Sequence, residues 1–141
     1  MAIAQPHPPR RERPVSQRPA TVLICDNEDA IRRLVRYSLE LGDYTFVEAS
    51  DGDEAVALAR EHLPDVIVLD MMMPGRSGLD VLRELNADPD LANTPVVMLT
   101  ARAQVMDRDE AVAAGAARFV AKPFKPDDLA GAVADVLRDR S

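Results

Sequence analysis

Apolar positions in this chain fall in short blocks separated by stretches of helical spacing. Four compact runs stand out: Val22-Leu23-Ile24-Cys25, Val66-Ile67-Val68-Leu69, Val96-Val97-Met98-Leu99 and Phe119-Val120-Ala121. The run at 66–69 closes on Asp70 and lies between Pro64 and Pro74, which predicts a strand buried on both faces. A fifth strand is predicted over Tyr44–Ala49. Between these runs the period changes. Ile31, Leu34, Val35 and Leu39 share one face of a helix, with Arg32, Arg33, Arg36 and Glu40 on the other and Gly42 as its stop. Ser50-Asp51-Gly52-Asp53, and Ser77 with Asp80 three residues later, supply helix N-termini. A weakly apolar helix over about 104–114 stops at Gly115. Pro126 opens the last helix, which carries Leu129, Val133, Val136 and Leu137. Five strands alternating with five helices predict an α/β fold with a doubly wound, five-stranded parallel sheet.

Composition adds a boundary. Residues 1–19 form a Pro/Arg-rich tail with Pro6, Pro8, Pro9, Pro14 and Pro19 and almost no large apolar side chains. Such a segment buries too little surface to offset its ordering entropy and is expected to be disordered. Residues 20–141 are left as one domain. Its charge is lopsided: four arginines face Glu12 in residues 1–20, whereas 13 basic and 23 acidic residues follow, a balance of −10. A surface of that sign is poorly suited to nucleic-acid phosphates. Cys25 is the sole cysteine, so no intrachain disulfide forms and a reducing, cytoplasmic setting is expected. No apolar stretch nears the roughly 18 residues of a membrane span.

The strand-like runs share a chemical feature. They end in Asp26-Asn27-Glu28, in Asp70, in Thr100 and in Lys122. Ligand chemistry in open parallel sheets gathers beyond the carboxyl ends of the strands, so these groups are expected to meet at one edge. Asp26, Asn27 and Asp70 offer hard oxygen donors that suit Mg²⁺. A carboxylate can attack phosphorus directly and form an acyl phosphate. Lys122 can pair with a phosphoryl oxygen, and Thr100 can donate a hydrogen bond to one. His7 and His62 lie in the tail and at a helix end, so a zinc site is not expected.

These residues, at separations of 44, 30 and 22 between Asp26, Asp70, Thr100 and Lys122, resemble those of the receiver domain of bacterial two-component response regulators. Met71-Met72-Met73-Pro74-Gly75, Thr100-Ala101 and Lys122-Pro123-Phe124 strengthen the likeness, which covers about residues 20–140. The resemblance implies a flavodoxin-like (βα)5 receiver in which Asp70 is the phosphoacceptor. Lys122 would bridge to the phosphoryl group, and Thr100 would move to bond it. Asp26, Asn27, Asp70 and the backbone carbonyl of Met72 would hold Mg²⁺. Phe119 stands at the position of a rotating aromatic switch, and the Lys122-Pro123 bond would be cis. Asn27 departs from the family pattern, which usually has a second acid there. It keeps an oxygen donor but removes a negative charge, so weaker Mg²⁺ binding is expected.

Rival classes lack their marks. A flavodoxin would bind phosphate after the first strand, where Asp26-Asn27-Glu28 repels it. A dehalogenase-type phosphatase needs an Asp at the position of Met72. The expectation is therefore a stand-alone response regulator and not an enzyme, although it assists its own phosphorylation and dephosphorylation. Its partners would be a sensor histidine kinase or histidine phosphotransfer protein and a downstream target protein, with no nucleic acid or membrane. The alternative is a receiver-like adaptor that works without phosphorylation. Because the chain ends at Ser141, just after the fifth helix, no output domain is expected.

Overall fold

A computed structural model of the chain describes residues 18–101 and 108–140. The predicted leader through residue 17 and the start of the fourth helix fall outside the described residues. The elements alternate throughout: β1 Ala20–Cys25, α1 Asp29–Leu39, β2 Tyr44–Ala49, α2 Gly52–His62, β3 Val66–Asp70, α3 Gly78–Ala87, β4 Val96–Ala101, α4 Arg108–Ala113, β5 Arg118–Lys122 and α5 Pro126–Arg140. All five strands run parallel, in the order β2-β1-β3-β4-β5.

The period of two along each strand divides the core into two layers. Leu23, Cys25, Ile67, Leu69, Val96 and Met98 pack with Ala55, Val56 and Ala59 of α2, Val81, Leu82 and Leu85 of α3, and Ala111 of α4. The alternating positions, Val22, Ile24, Val66, Val68, Val97 and Leu99, pack with Val35 and Leu39 of α1 and Leu129, Val133, Val136 and Leu137 of α5. Every residue of β1 and of β3 is buried. This matches the continuous aliphatic runs of a sheet covered on both sides.

Local chemistry sets the helix ends. The Asp51 side chain caps α2 by accepting from the Glu54 N–H at 2.8 Å, and Glu54 returns to the Ser50 N–H at 2.7 Å, a reciprocal cap. Ser77 Oγ accepts from the Asp80 N–H at 3.1 Å and opens α3. Leu63, at φ 46°, ends α2 just before Pro64.

The strand order reverses between β1 and β3, because β2 lies on one side of β1 and the remaining strands on the other. This switch point leaves a crevice above the carboxyl ends of β1 and β3. Asp26 follows one of these ends and Asp70 forms the other.

The folded edge reaches further back than composition indicates. Arg18, placed with the leader by its neighbours in sequence, is buried. Its two Nη atoms donate to the two carboxylate oxygens of Asp65, each at 2.6 Å, and the Thr21 N–H donates to the same carboxylate at 2.7 Å. The two side chains are 4% and 1% exposed. Removing one partner of a buried pair strands the other charge, which costs more than the intact pair contributes. Arg18→Ala is therefore expected to lower the unfolding free energy by about 3 kcal/mol in urea titrations. A loss below about 1 kcal/mol would show that the pair behaves as an exposed one.

Candidate functional site

The strand ends bring Asp26, Asp70, Thr100 and Lys122 to the crevice. Asp26 is 0% exposed, and Asp70 and Thr100 are 4% exposed each. The Lys122 ammonium lies between the carboxylates, 2.8 Å from Asp26 Oδ2 and 3.1 Å from Asp70 Oδ1. The other Asp26 oxygen accepts from the Glu28 N–H at 2.9 Å. Thr100 lies in β4, the strand between those of Asp70 and Lys122, opposite Ala121. Asn27 and Glu28 are exposed at the rim.

The electrostatics follow from this crowding. Burial first, and then the charge of Asp26, push the Asp70 carboxyl above its ordinary pKa; Lys122 and a hydrogen bond from the Met72 N–H oppose them. Burial pulls the Lys122 ammonium down, but its hydrogen bonds and ion pairs with Asp26 and Asp70 outweigh that and raise its pKa. Burial also pushes the Cys25 thiol up, which keeps this cysteine as a small apolar filler.

The donor chemistry fits a hard divalent cation. Two buried carboxylates from adjacent strand ends face the same crevice, Met72 follows one of them two residues on, and the exposed Asn27 follows the other directly. Among the described residues, no group of three or more His, Cys, Asp or Glu side chains is gathered as a metal site. Hard carboxylate oxygens without histidine or cysteine beside them suit Mg²⁺ better than zinc.

The remaining predicted residues sort by position. Phe119 is half-buried and packs against the layer under α2, α3 and α4. The Lys122-Pro123 bond is cis. The three methionines separate: Met71 is buried, Met73 packs against the core from its edge, and Met72 is 64% exposed. His62 sits at the end of α2.

One contributor is hidden from the sequence pattern. Periodicity puts Arg32 on the solvent face of α1, yet its side chain is only 13% exposed. Its Nη1 donates to the Asp26 backbone carbonyl at 2.6 Å and its Nε to Glu48 Oε1 at 3.2 Å. It also pairs with Asp29. Arg32 thus ties the peptide of the acidic cluster to α1 and β2. A long stem that lies flat while its head reaches a carbonyl leaves no mark in hydropathy.

The family model of the response regulator receiver domain matches residues 22–134, and the chain belongs to this family. The probable transcriptional regulator ycf27 of Guillardia theta is 42% identical over 117 residues, covering 83% of this chain and 45% of that protein. The phosphate regulon transcriptional regulatory protein PhoB of Pseudomonas aeruginosa is 36% identical over 118 residues, covering 84% and 52%. The chain therefore spans about half the length of the curated relatives it matches. Among solved structures, a putative response regulator from Chloroflexus aurantiacus superimposes with a TM-score of 0.82 at 30% identity, covering 86% of this chain and 99% of its own. The Vibrio cholerae chemotaxis protein CheY4 gives 0.78 at 32%, covering 84% and 98%.

The raised Asp70 pKa has a measurable consequence. An acid whose pKa rises on folding contributes most favourably below its unfolded pKa, and that contribution is lost as pH rises through the folded value. Above the folded pKa the ionised carboxylate thus destabilises the metal-free fold. Asp70→Asn should raise the unfolding free energy at pH 7 by about 0.5–2 kcal/mol. The difference should shrink as pH falls through the folded pKa, measured by thermal melts in chelator. A variant less stable than the parent at pH 7 would show that the Lys122 contact outweighs burial.

Proposed function

We propose that this protein is a Mg²⁺-dependent phosphorylation switch of a two-component system, with Asp70 as its phosphoacceptor. The observation that carries this reading is the Lys122 ammonium, held between two buried carboxylates at 2.8 and 3.1 Å. A partly buried cation shared by two anions is poised to follow negative charge as it is transferred to one of them. The donor is a phosphohistidine on a sensor histidine kinase or a histidine phosphotransfer protein. An Asp70 carboxylate oxygen attacks phosphorus, the phosphorus–nitrogen bond breaks, and the imidazole leaves with the bond's electron pair and takes up a proton. The product is an acyl phosphate.

Each residue has a part in that step. Asp26, Asp70, Asn27 and the Met72 carbonyl would hold Mg²⁺, which neutralises phosphoryl charge when bound. Lys122 pairs with a phosphoryl oxygen, and the Met72 N–H keeps the acceptor oriented. Thr100, on the intervening strand, donates a hydrogen bond to the new group. Its movement opens room for Phe119 and changes the surface around β5. The output is a change in protein–protein binding, without direct contact to nucleic acid or membrane. No helix of the described residues is long and apolar enough to cross a membrane, which is compatible with a cytoplasmic site of action.

Incubation with Mg²⁺ and acetyl phosphate should add one phosphoryl group by intact mass, and Asp70→Asn should abolish the gain. A parent chain that stays unlabelled, with acetyl phosphate and with histidine kinases alike, would favour the phosphorylation-independent adaptor. Asn27→Asp should tighten Mg²⁺ binding, since ligand charge raises affinity for hard cations. A gain on the order of 1 kcal/mol, about five-fold in Kd, is expected by calorimetry. Equal affinities would place residue 27 outside the metal's ligands.

A further inference from the structure

The loop that leaves Asp70 returns to it. Gly78, the first residue of α3, donates its N–H to the Met71 carbonyl at 2.9 Å, while the Met71 N–H bonds Leu99 of β4 at 3.0 Å. A Cβ on Gly78 would lie 2.2 Å from the Asp70 carbonyl oxygen, 2.8 Å from Met71 Cα and 2.9 Å from the Asp70 carbonyl carbon. All three are backbone atoms, so no flexible side chain can give way. The glycine at Gly75 differs: its φ of 78° favours a residue without Cβ, but nothing lies within 4 Å of the added atom. Gly78 has no such dihedral demand, so contact alone requires a glycine there.

We propose that Gly78 is a positioning residue for the phosphoacceptor: its missing Cβ lets the first turn of α3 rest directly on the Asp70–Met71 peptide and fixes that peptide. The inference rests on the reading of Asp70 as acceptor. The peptide carries the Asp70 side chain at one end and leads at the other to the Met72 main chain, whose N–H lowers the carboxyl's pKa. Met72 also carries the carbonyl assigned above to the metal. One displacement therefore moves the acceptor oxygen, the donor that orients it and a metal-facing carbonyl together. The loop is braced further along. Ser77 caps α3, and the Arg76 guanidinium spans Asp53 of α2 and Glu84 of α3. With both flanks held, a Cβ at position 78 has its outlet in the acceptor peptide.

Gly131 supplies the control. It lies inside α5, and a Cβ added there would meet nothing within 4 Å, so Gly131→Ala should leave the site alone and help the helix. The test compares Gly131→Ala with Gly78→Ala/Gly131→Ala, the shared substitution offsetting stability lost at position 78. Trimethylamine N-oxide is added to all samples if the double variant melts near the assay temperature. Three quantities are read: phosphorylation by acetyl phosphate with Mg²⁺, the Kd for Mg²⁺ alone, and the Met72 amide resonance with its pH titration in metal-free protein. A folded double variant should be phosphorylated roughly ten- to a hundred-fold more slowly, bind Mg²⁺ more weakly, and show a displaced Met72 amide. A folded double variant with the parent's rate, Mg²⁺ affinity and Met72 resonance would overturn the proposal. So would a double variant that fails to fold even with the osmolyte, since Gly78 would then serve the fold as a whole. If the parent itself is not labelled, the acceptor reading fails on its own. The amide and Mg²⁺ measurements still decide whether Gly78 fixes the Asp70 peptide.

Discussion

Two carboxylates that face one crevice, one of them fully buried, are the constraint on which this molecule turns. Asp26 and Asp70 belong to neighbouring strand ends and repel each other where little water reaches them. Their common counter-charge comes from Lys122, which lies 96 residues from Asp26 in sequence. Neighbouring strands lie about 4.8 Å apart, so β5 is roughly 10 Å from β3, with β4 between them. The register sets Asp70 level with Leu99 and Lys122 level with Ala101. The lysine therefore starts beyond the level of Asp70 and spans a strand to reach it. Only a long, unbranched cationic stem does this, and a register slip of β5 would send the ammonium to the other face. The sheet order is thus a condition for charge balance at the site as well as for burial of the core.

That dependence explains what the sequence disclosed. The strands were legible because sheets covered on both faces need continuous aliphatic runs, and β1, β3 and β4 have them. The helix starts at Ser77 and Pro126 were legible because capping is local chemistry. Asp26, Asp70, Thr100 and Lys122 stood out because each lies at or next to the carboxyl end of its strand, where a parallel sheet presents its ligands. Long-range partners were not. Arg18 reads as one more arginine of a Pro/Arg-rich leader until Asp65, 47 positions on, is brought beside it. Arg32 sits at a polar position of its helix and satisfies the polar pattern equally well whether it points to water or lies on the Asp26 carbonyl. The methionines at 71–73 look alike in sequence, and only the loop's path separates the buried Met71 from the exposed Met72.

The backbone around Asp26 and Asp70 is held from several directions by contacts of this long-range kind. Arg32 grips the carbonyl of Asp26, Gly78 rests on the carbonyl of Asp70, and the Met71 N–H is tied to β4. The acidic pair is consequently framed by peptide groups whose positions are set from α1, α3 and the sheet. Pre-set geometry of this kind lets like charges remain close without the loops relaxing apart, and it leaves Lys122 as the group with freedom to respond. A lysine head on a four-carbon stem suits that part better than a planar guanidinium, because it can exchange one oxygen partner for another without reorienting a fork.

Charge counting then gives Asn27 a place in the proposed switch. Without metal, Asp26, Asp70 and Lys122 sum to about −1. A phosphoryl group on Asp70 replaces one negative charge by about two, and a divalent cation beside it returns the sum to about zero. A second carboxylate at position 27 would leave that state near −1, with the excess facing the acyl phosphate. An amide therefore gives up metal affinity in the resting state but removes a negative neighbour from the phosphorylated one. The two effects oppose each other in direction but differ in range. The metal would be held in direct contact, whereas the exposed position of Asn27 lets water screen its influence on more distant phosphoryl oxygens. The larger consequence of Asn27 thus falls on cation binding, and the charge of the loaded site is tuned more weakly by the same residue.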